Sequence, residues 1–337
     1  MNNSPMISAI RQAATAALNH AAVLVPEWLP DGKRHHNEWI AKNPVRGDRQ
    51  TGSFSVSLLT GKWNDFADGG AKGGDLVGLL AYLHHCKQWQ AAQTIDSRLG
   101  LGLFTASGQA STPNEAQQAA IAASLKRAEA SQLQAQIREK HDRESAKLQA
   151  LSMWLYAQSA SKDHSYLLKK QVLAYGLRQS KVGNLLVPVC FNGEIVNLQQ
   201  ITPYGQKLFL TGGQVKECYS PIGRVMTGQR LYICEGWATG ATLHQHTGKA
   251  VACALNAGNL KAVALAMRAR YGETVELVIA GDDDRQTTTN AGRKAANDAA
   301  LAIGATVVFP QWPHDAPCYL TDFNDLALWL NEQELIA

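Results

Sequence analysis

The sequence predicts a multidomain α/β chain. Its last hundred residues read as a parallel sheet with helices on both faces, preceded by a small basic α+β subdomain and an N-terminal domain of short strands and turns. Three observations carry this expectation. After residue 230, short apolar runs (LYIC, AVACAL, VELVIA, TVVF) alternate with helical stretches, which is the pattern of a parallel sheet. Residues 114–160 lack Gly and Pro and are rich in Ala, Gln, Glu, Lys and Arg, a composition that favours one long connecting helix. Charge is also uneven: 161–216 carry seven basic and two acidic residues, whereas 231–337 carry seven and twelve.

In chain order, residues 1–22 read as a helix. GSFSV and GKWNDF read as strands separated by a turn, and LVGLLAYLHH as a helix with Asp75 as its N-cap. The small polar stretch 104–114 reads as a linker. The long helix follows, with Trp154 and Leu155 expected to dock its end on the next domain. HSYLLKKQVLAYGL is expected to be helical. NLLVPVC, EIVNLQQITP and KLFL then read as strands, the first two joined by a hairpin turn at Asn192–Gly193. In the last part the four apolar runs are strands, with helices over ATGATLHQH, LKAVALAMRARY, NAGRKAANDAALAIG (closed by Gly304) and DLALWLNEQEL. The resulting domains are 1–105, 106–160 (linker and connecting helix), 161–229 and 230–337.

Several classes are excluded at this level. Apolar residues make up 45% and charged residues 18% of 337, ordinary for a globular chain of two or three domains. No apolar run approaches the roughly 18 residues that span a bilayer. The N-terminus lacks a basic region followed by an apolar core, so no secretory signal is read and a cytoplasmic location is expected. None of the six cysteines lies within four positions of another, which excludes a CxxC zinc knuckle or redox pair and predicts buried free thiols. No GxxxxGK[ST] phosphate loop occurs, so a helicase partner would be a separate chain.

Ligands of open parallel sheets gather at the carboxyl ends of the strands. Here Glu235-Gly236 follows the first strand, Asn256-Ala257-Gly258-Asn259 the second, Asp282-Asp283-Asp284 the third, and a loop with Asp322 and Asp325 the fourth. Three adjacent aspartates repel unless solvated or bound to cations. Asp282 and Asp284 alternate along the chain and point the same way if extended. Glu235 would face them from a neighbouring strand. Hard divalent cations prefer such carboxylate oxygens.

These residues resemble the Toprim signature: EG after an apolar strand, then the DxD pair and the Gly-Arg helix of GDDDRQTTTNAGRKAA. The signature is shared by bacterial-type primases, topoisomerases and some nucleases. EGWATGATLH, ALNAGNL, IAGDDD and TDFNDL resemble primases of phages and conjugative plasmids, over about 230–330. The resemblance implies that Glu235 is the first-motif acid and that Asp282 and Asp284 are the paired metal acids. Asp322 and Asp325 match a DxND segment assigned to the same metal set, with Mg²⁺ or Mn²⁺ as cofactor. QQITPYGQKLFLTGG resembles the family's preceding basic subdomain. Lys207 takes the place of its lysine as a catalytic and nucleotide-binding group, and Lys216 and Arg230 are further nucleic-acid or nucleotide candidates. GSFSVSLLTGKWNDFADGGAKGGDLVGLLAYL resembles the second half of a zinc ribbon and its following helix. Asp65 and Asp68 stand where that family has cysteines, and Asn43 and Arg46 where the first ligand pair lies. His35 and His36 could add imidazoles, but adjacent side chains of an extended run are expected to point apart. Carboxylates without thiolate or imidazole partners make a poor zinc site, so zinc is not expected and a degenerate ribbon held by packing of Phe54, Trp63 and Phe66 is.

The function implied is a DNA primase, a DNA-directed RNA polymerase that makes short RNA primers on single-stranded DNA from NTPs, with no membrane role. The alternatives are a Toprim-type metal-dependent nuclease, which would use the same acids, and a non-catalytic single-stranded DNA-binding protein.

Overall fold

The computed structural model describes residues 5–35, 37–48, 51–67, 71–105 and 115–336. His36, Asp68 and the 106–114 part of the expected linker lie outside them. The chain divides into two compact units, Met1–Arg138 and Glu139–Ala337.

In the first unit, α1 (Pro5–Asn19) and α2 (Ala21–Trp28) extend the expected helix past residue 22 after a break at His20. Ala9, Ala13, Ala16 and Ala17 give α1 one small buried face, so it packs closely on its neighbours. β1 (Lys33–His35), β2 (Glu38–Ala41), β3 (Phe54–Ser57), β4 (Trp63–Asp65) and β5 (Lys72–Gly73) form an antiparallel meander in sequence order. α3 (Leu76–Leu83) follows, and Asp75 caps it by accepting from the Gly78 N–H at 2.7 Å. α4 (Gln88–Leu99) completes the unit.

Phe54 and Trp63 are buried, as expected, but Phe66 is 72% exposed. Side chains alternate along a strand. Trp63 and Asp65 face inward on β4, so Asn64 and Phe66 fall on the opposite face. Tyr82 fills the aromatic cluster instead, 4.8 Å from Trp63 between ring centroids.

The ribbon positions converge on one another. Asn43 Nδ2 donates to Asp65 Oδ2 and to the Tyr82 hydroxyl, each at 2.7 Å. Arg46 lies 3.5 Å from Asp65 and pairs with Asp48 at 2.7 Å. Arg46 and Ser53 hold the Asp48 carboxyl down at about 2. Donors and acceptors therefore close this end of the sheet directly, and the three described positions do not present a zinc donor set.

In the second unit, α5 (Glu115–Tyr156), within which the unit boundary falls, docks its end through Ala150, Met153 and Trp154 against Leu186, Leu198 and Leu210. Leu155, expected to dock, is exposed, because it lies off this stripe. β6 (Gln158–Ser159), α6 (Ser165–Lys170), β7 (Arg178–Gln179), β8 (Leu185–Phe191), β9 (Glu194–Ile201) and β10 (Lys207–Phe209) follow. The strands make an antiparallel sheet in the order β10-β9-β8-β7-β6. Asn192 and Gly193 both take positive φ (50° and 90°), as a tight hairpin between twisted strands requires. The expected helix 164–177 stops at Lys170, because Gln171 turns left-handed.

The third sheet comprises β11 (Ser220–Ile222), β12 (Arg230–Cys234), β13 (Ala250–Cys253), β14 (Glu276–Ala280) and β15 (Thr306–Val308). Helices α7 (Trp237–Thr247), α8 (Ala257–Tyr271), α9 (Ala291–Ile303) and α10 (Phe323–Ile336) accompany it. The order is β11-β13-β12-β14-β15. The last four strands are mutually parallel, and β11 is an antiparallel edge on β13, so the sheet is mixed rather than wholly parallel. Gly240 lets α7 sit close to this sheet: a Cβ there would lie 2.3 Å from Cys253 Sγ. Residues of 161–229 and of 230–337 share one core, in which Tyr166, Leu167 and Val187 meet Trp237, Ala241 and Cys253.

Asp65→Ala should lower the stability of the full chain by about 2 kcal/mol in urea unfolding, because it strips a charged partner from Asn43 and Arg46. Overnight EDTA should leave the wild-type midpoint unchanged. One equivalent of zinc by elemental analysis, lost with Asp65→Ala, would contradict this account of the clasp.

Candidate active site

β12 is central, and the chain leaves it first to β13 and then crosses to β14 on its other side. The strand order therefore reverses between β12 and β14, which is where such sheets bind ligands. Glu235 leaves the carboxyl end of β12, and Asp282 and Asp284 leave that of β14 beside it. The loop before α10 joins them: the Asp283 N–H donates to the Thr321 carbonyl at 2.7 Å. This brings Asp322 and Asp325 to the same end.

The carboxylates differ in how they are satisfied. Asp322 accepts from Thr239 Oγ1 at 3.1 Å and from the Asp325 N–H at 2.8 Å. Asp325 accepts from the Thr321 N–H at 3.1 Å and pairs with Lys170 at 3.3 Å. Asp284 Oδ2 accepts from the Gly292 N–H at 2.8 Å, at the start of α9. A Cβ at Gly292 would lie 3.0 Å from both Asp282 Cβ and Asp284 Oδ2, so glycine permits this approach. Asp282 Oδ1 is buried and has no hydrogen-bond partner.

The titration of these groups follows their surroundings. Burial, then the negative charges of Asp322, Glu235, Asp284 and Asp325, push Asp282 up to about 8. Burial and Asp284 raise Glu235, against the opposing Ala257 N–H and the Lys207 ammonium. Burial and Asp325 raise Asp322, against the Asp325 N–H, Lys170 and Thr239. The site therefore carries more negative charge than its own partners offset.

A hard divalent cation fits this donor set. No three Asp, Glu, His or Cys side chains among the described residues converge tightly enough to cage an ion. Mg²⁺ usually takes one or two carboxylates and completes its shell with waters and phosphates. The unpartnered buried oxygen of Asp282 is the donor such an ion would claim.

Lys207, at the start of β10, is exposed and close enough to Glu235 to favour its ionised form. Lys216 is exposed in a loop whose backbone Asn259 pins, its amide donating to the Val215 and Cys218 carbonyls at 3.0 and 2.8 Å. Arg230 begins β12, at the opposite end of the strand from Glu235, and pairs with Glu276 at 2.9 Å. It does not join the acids.

Sequence reasoning missed Lys170, Thr239 and Asn324. Asn324 is buried, and its amide donates to the Lys170 carbonyl at 2.7 Å and to Thr242 at 2.9 Å. It thus seats the end of α6 against the acid loop. The TDFNDL segment held the signal, since a polar residue between two acids at a helix start invites a partner.

Residues 230–329 match the Toprim domain family. This stretch is a Toprim domain. Two proteins named DNA primase TraC, both from Escherichia coli, are similar to the chain. One is 31% identical over 144 residues, covering 39% of this chain and 10% of the relative. The other is 34% identical over 126 residues, covering 35% and 12%. The chain thus spans about a tenth of the length of the curated relatives it matches. Among solved structures, the primase fragment of the bacteriophage T7 primase-helicase protein aligns with a TM-score of 0.39 at 20% identity, over 51% of this chain and 72% of that one.

Asp282 binds a proton in the folded Toprim domain from about pH 4 to about pH 8, and the unfolded chain does not. Its contribution therefore falls as pH rises through that window and is fully unfavourable above it. Asp282→Asn should stabilise the metal-free protein, by up to about 4 kcal/mol more at pH 8.5 than at pH 5. Equal gains at both pH values in urea unfolding would refute the charge crowding inferred for Asp282.

Proposed function

We propose that the chain is a DNA primase that joins ribonucleoside triphosphates into short primers on single-stranded DNA. The observation that supports this most is the under-neutralised acid cluster at the switch point of a Toprim domain, with Lys170 and Lys207 brought beside it from the basic segment. Similarity to proteins named DNA primase adds to it.

Phosphoryl transfer asks a protein for positioning and charge rather than covalent chemistry. Glu235, Asp282 and Asp284 would hold Mg²⁺ or Mn²⁺, which when bound supplies charge neutralisation and an activated hydroxyl. Asp322 and Asp325, each satisfied at both oxygens, orient the loop and keep the local field negative. Lys207 is exposed and unburdened by a salt bridge among the described residues, so it is free to meet a triphosphate or a template phosphate. The basic stretch 161–216 would grip the DNA backbone, and a replicative helicase is a candidate partner.

Incubation with circular single-stranded DNA, labelled NTPs and Mg²⁺ or Mn²⁺ tests this reading. Labelled oligoribonucleotides are expected. Strand cleavage would mean a nuclease, and retention of DNA without either product a binding protein. Asp282→Asn and Asp284→Asn should each lower synthesis by about 100-fold or more while circular dichroism stays native, as loss of a metal-holding group implies. Full activity of both variants at saturating metal would overturn the assignment of the acids.

Lys207→Ala should weaken DNA or nucleotide binding. If Lys207 touches DNA, the log–log salt slope flattens by up to about one unit. If it touches only the triphosphate, the KM for NTP rises and the DNA slope holds. No change in either quantity would make Lys207 a bystander.

A further inference from the structure

Asp283 stands between the two acids that would hold the cation and points the other way. It is 5% exposed. Its carboxylate accepts four donations: Asn290 Nδ2 at 2.7 Å and Arg293 Nε at 3.0 Å to Oδ1, and Trp312 Nε1 at 3.2 Å and Arg293 Nη2 at 3.4 Å to Oδ2. The donors are themselves held. The Arg293 guanidinium lies 4.1 Å from the Phe309 ring centroid. That of Arg285 lies 4.3 Å from the Trp312 ring centroid and donates to the Pro317 carbonyl at 2.7 Å.

The direction of Asp282 and Asp284 needs such a device. The β14–β15 ladder ends at the Ala280–Val308 pair, with one further bond from the Gly281 N–H to the Val308 carbonyl. Beyond Gly281 no strand pairing sets which way side chains face. The Asp283 N–H bond to the Thr321 carbonyl and the Gly292 N–H bond to Asp284 hold the segment in place, but a rotation about it would still turn both acids away together, since side chains alternate. Asp283 opposes that rotation, because a buried carboxylate torn from a guanidinium, an amide and an indole loses charge-assisted bonds it cannot replace. Asn290 extends the same lock, since its Oδ1 accepts from the Asp284 N–H at 2.9 Å while its Nδ2 serves Asp283.

We infer that Asp283, with Arg293 as its counter-ion, is a positioning residue that keeps Asp282 and Asp284 turned into the shared acid cluster, toward a divalent cation. The inference rests on the reading that these two acids hold the cation.

Mn²⁺ binding to the full chain, followed by the electron paramagnetic resonance of free Mn²⁺, tests it without any turnover. Asp283→Asn and Arg293→Gln should each raise the Mn²⁺ Kd by about tenfold, the usual scale for a group that orients a metal-holding residue. The double variant should be little worse than the worse single one, because both break the same contact. A residue that served stability alone would lower Tm and leave the Kd of the folded protein unchanged. The inference falls if both folded variants bind Mn²⁺ within about twofold of wild type, below the scale that orienting groups set, or if the wild type binds none. Should Asp283→Asn fail to fold, Arg293→Gln decides, since the Arg293 side chain is 45% exposed and its loss leaves less unsatisfied. Wild-type protein that binds Mn²⁺ but makes no primers would defeat the primase reading and leave the positioning role standing.

Discussion

Five carboxylates meet at one end of one sheet, and like-charge repulsion there is the constraint the rest of the second unit answers. Two unit charges about 4 Å apart near a protein surface interact by roughly 4 kcal/mol, more than an ordinary net hydrogen bond supplies. The βα topology delivers both the problem and part of its remedy. Each parallel strand ends where its following helix begins, so α7, α8 and α9 aim their N-termini at the acid end, and the start of α10 lies there too. The positive ends of helices favour anions. Glu235 meets the Ala257 N–H at the start of α8, Asp284 the Gly292 N–H at the start of α9, and Asp322 the Asp325 N–H in the first turn of α10. Asp282 alone is left with a buried oxygen lacking any donor among the described residues, and burial with the neighbouring carboxylates pushes it up to about 8.

The remainder of the remedy comes from outside the parallel sheet. Lys170 arrives at the end of α6 and Lys207 at the start of β10, both from the segment with seven basic and two acidic residues. Neither could be brought there by a loosely tethered subdomain. The core shared by Tyr166, Leu167 and Val187 with Trp237 and Ala241 makes the two segments one body, and the backbone pair between Cys190 and Tyr219 ties β8 to the chain entering β11. β11 is the splice: it follows the antiparallel sheet in sequence yet adds to the edge of β13. Pro221 sits in that strand, at an edge where a missing N–H is tolerated.

Much of this was legible in the residues, and the exceptions have physical causes. The apolar strands, the Asn192–Gly193 turn, the Asp75 cap and the Gly304 stop are local signals, and each appears where expected. The acids were legible because strand tips were known once the strands were. Phe66 was misplaced because its side depends on the parity of β4, which a three-residue strand does not reveal. The end of α6 was misplaced because Gln171, not a glycine or proline, turns left-handed. Lys170 and Asn324 were invisible because their value lies in contacts across about 155 positions of sequence. β1 and α4 went unread because β1 is exposed throughout and α4 buries only four of its twelve residues.

The first unit meets a related constraint by a different route. The end of the meander where the 43–48 loop meets β4 must be held together, and four bonds to one ion would be one way to do it. Here the loop and the strand present complementary groups. The Asn43 amide bridges Asp65 on β4 to Tyr82 on α3 while its own carbonyl accepts from the Val45 N–H at 3.0 Å. Arg46 reaches Asp48, Ser53 and Asp65 at once. A cation entering at Asp65 would have to displace the Asn43 amide and the Arg46 guanidinium, which would keep Tyr82 and the Asp48–Ser53 pair as partners. The described part of the clasp is therefore closed by direct protein contacts.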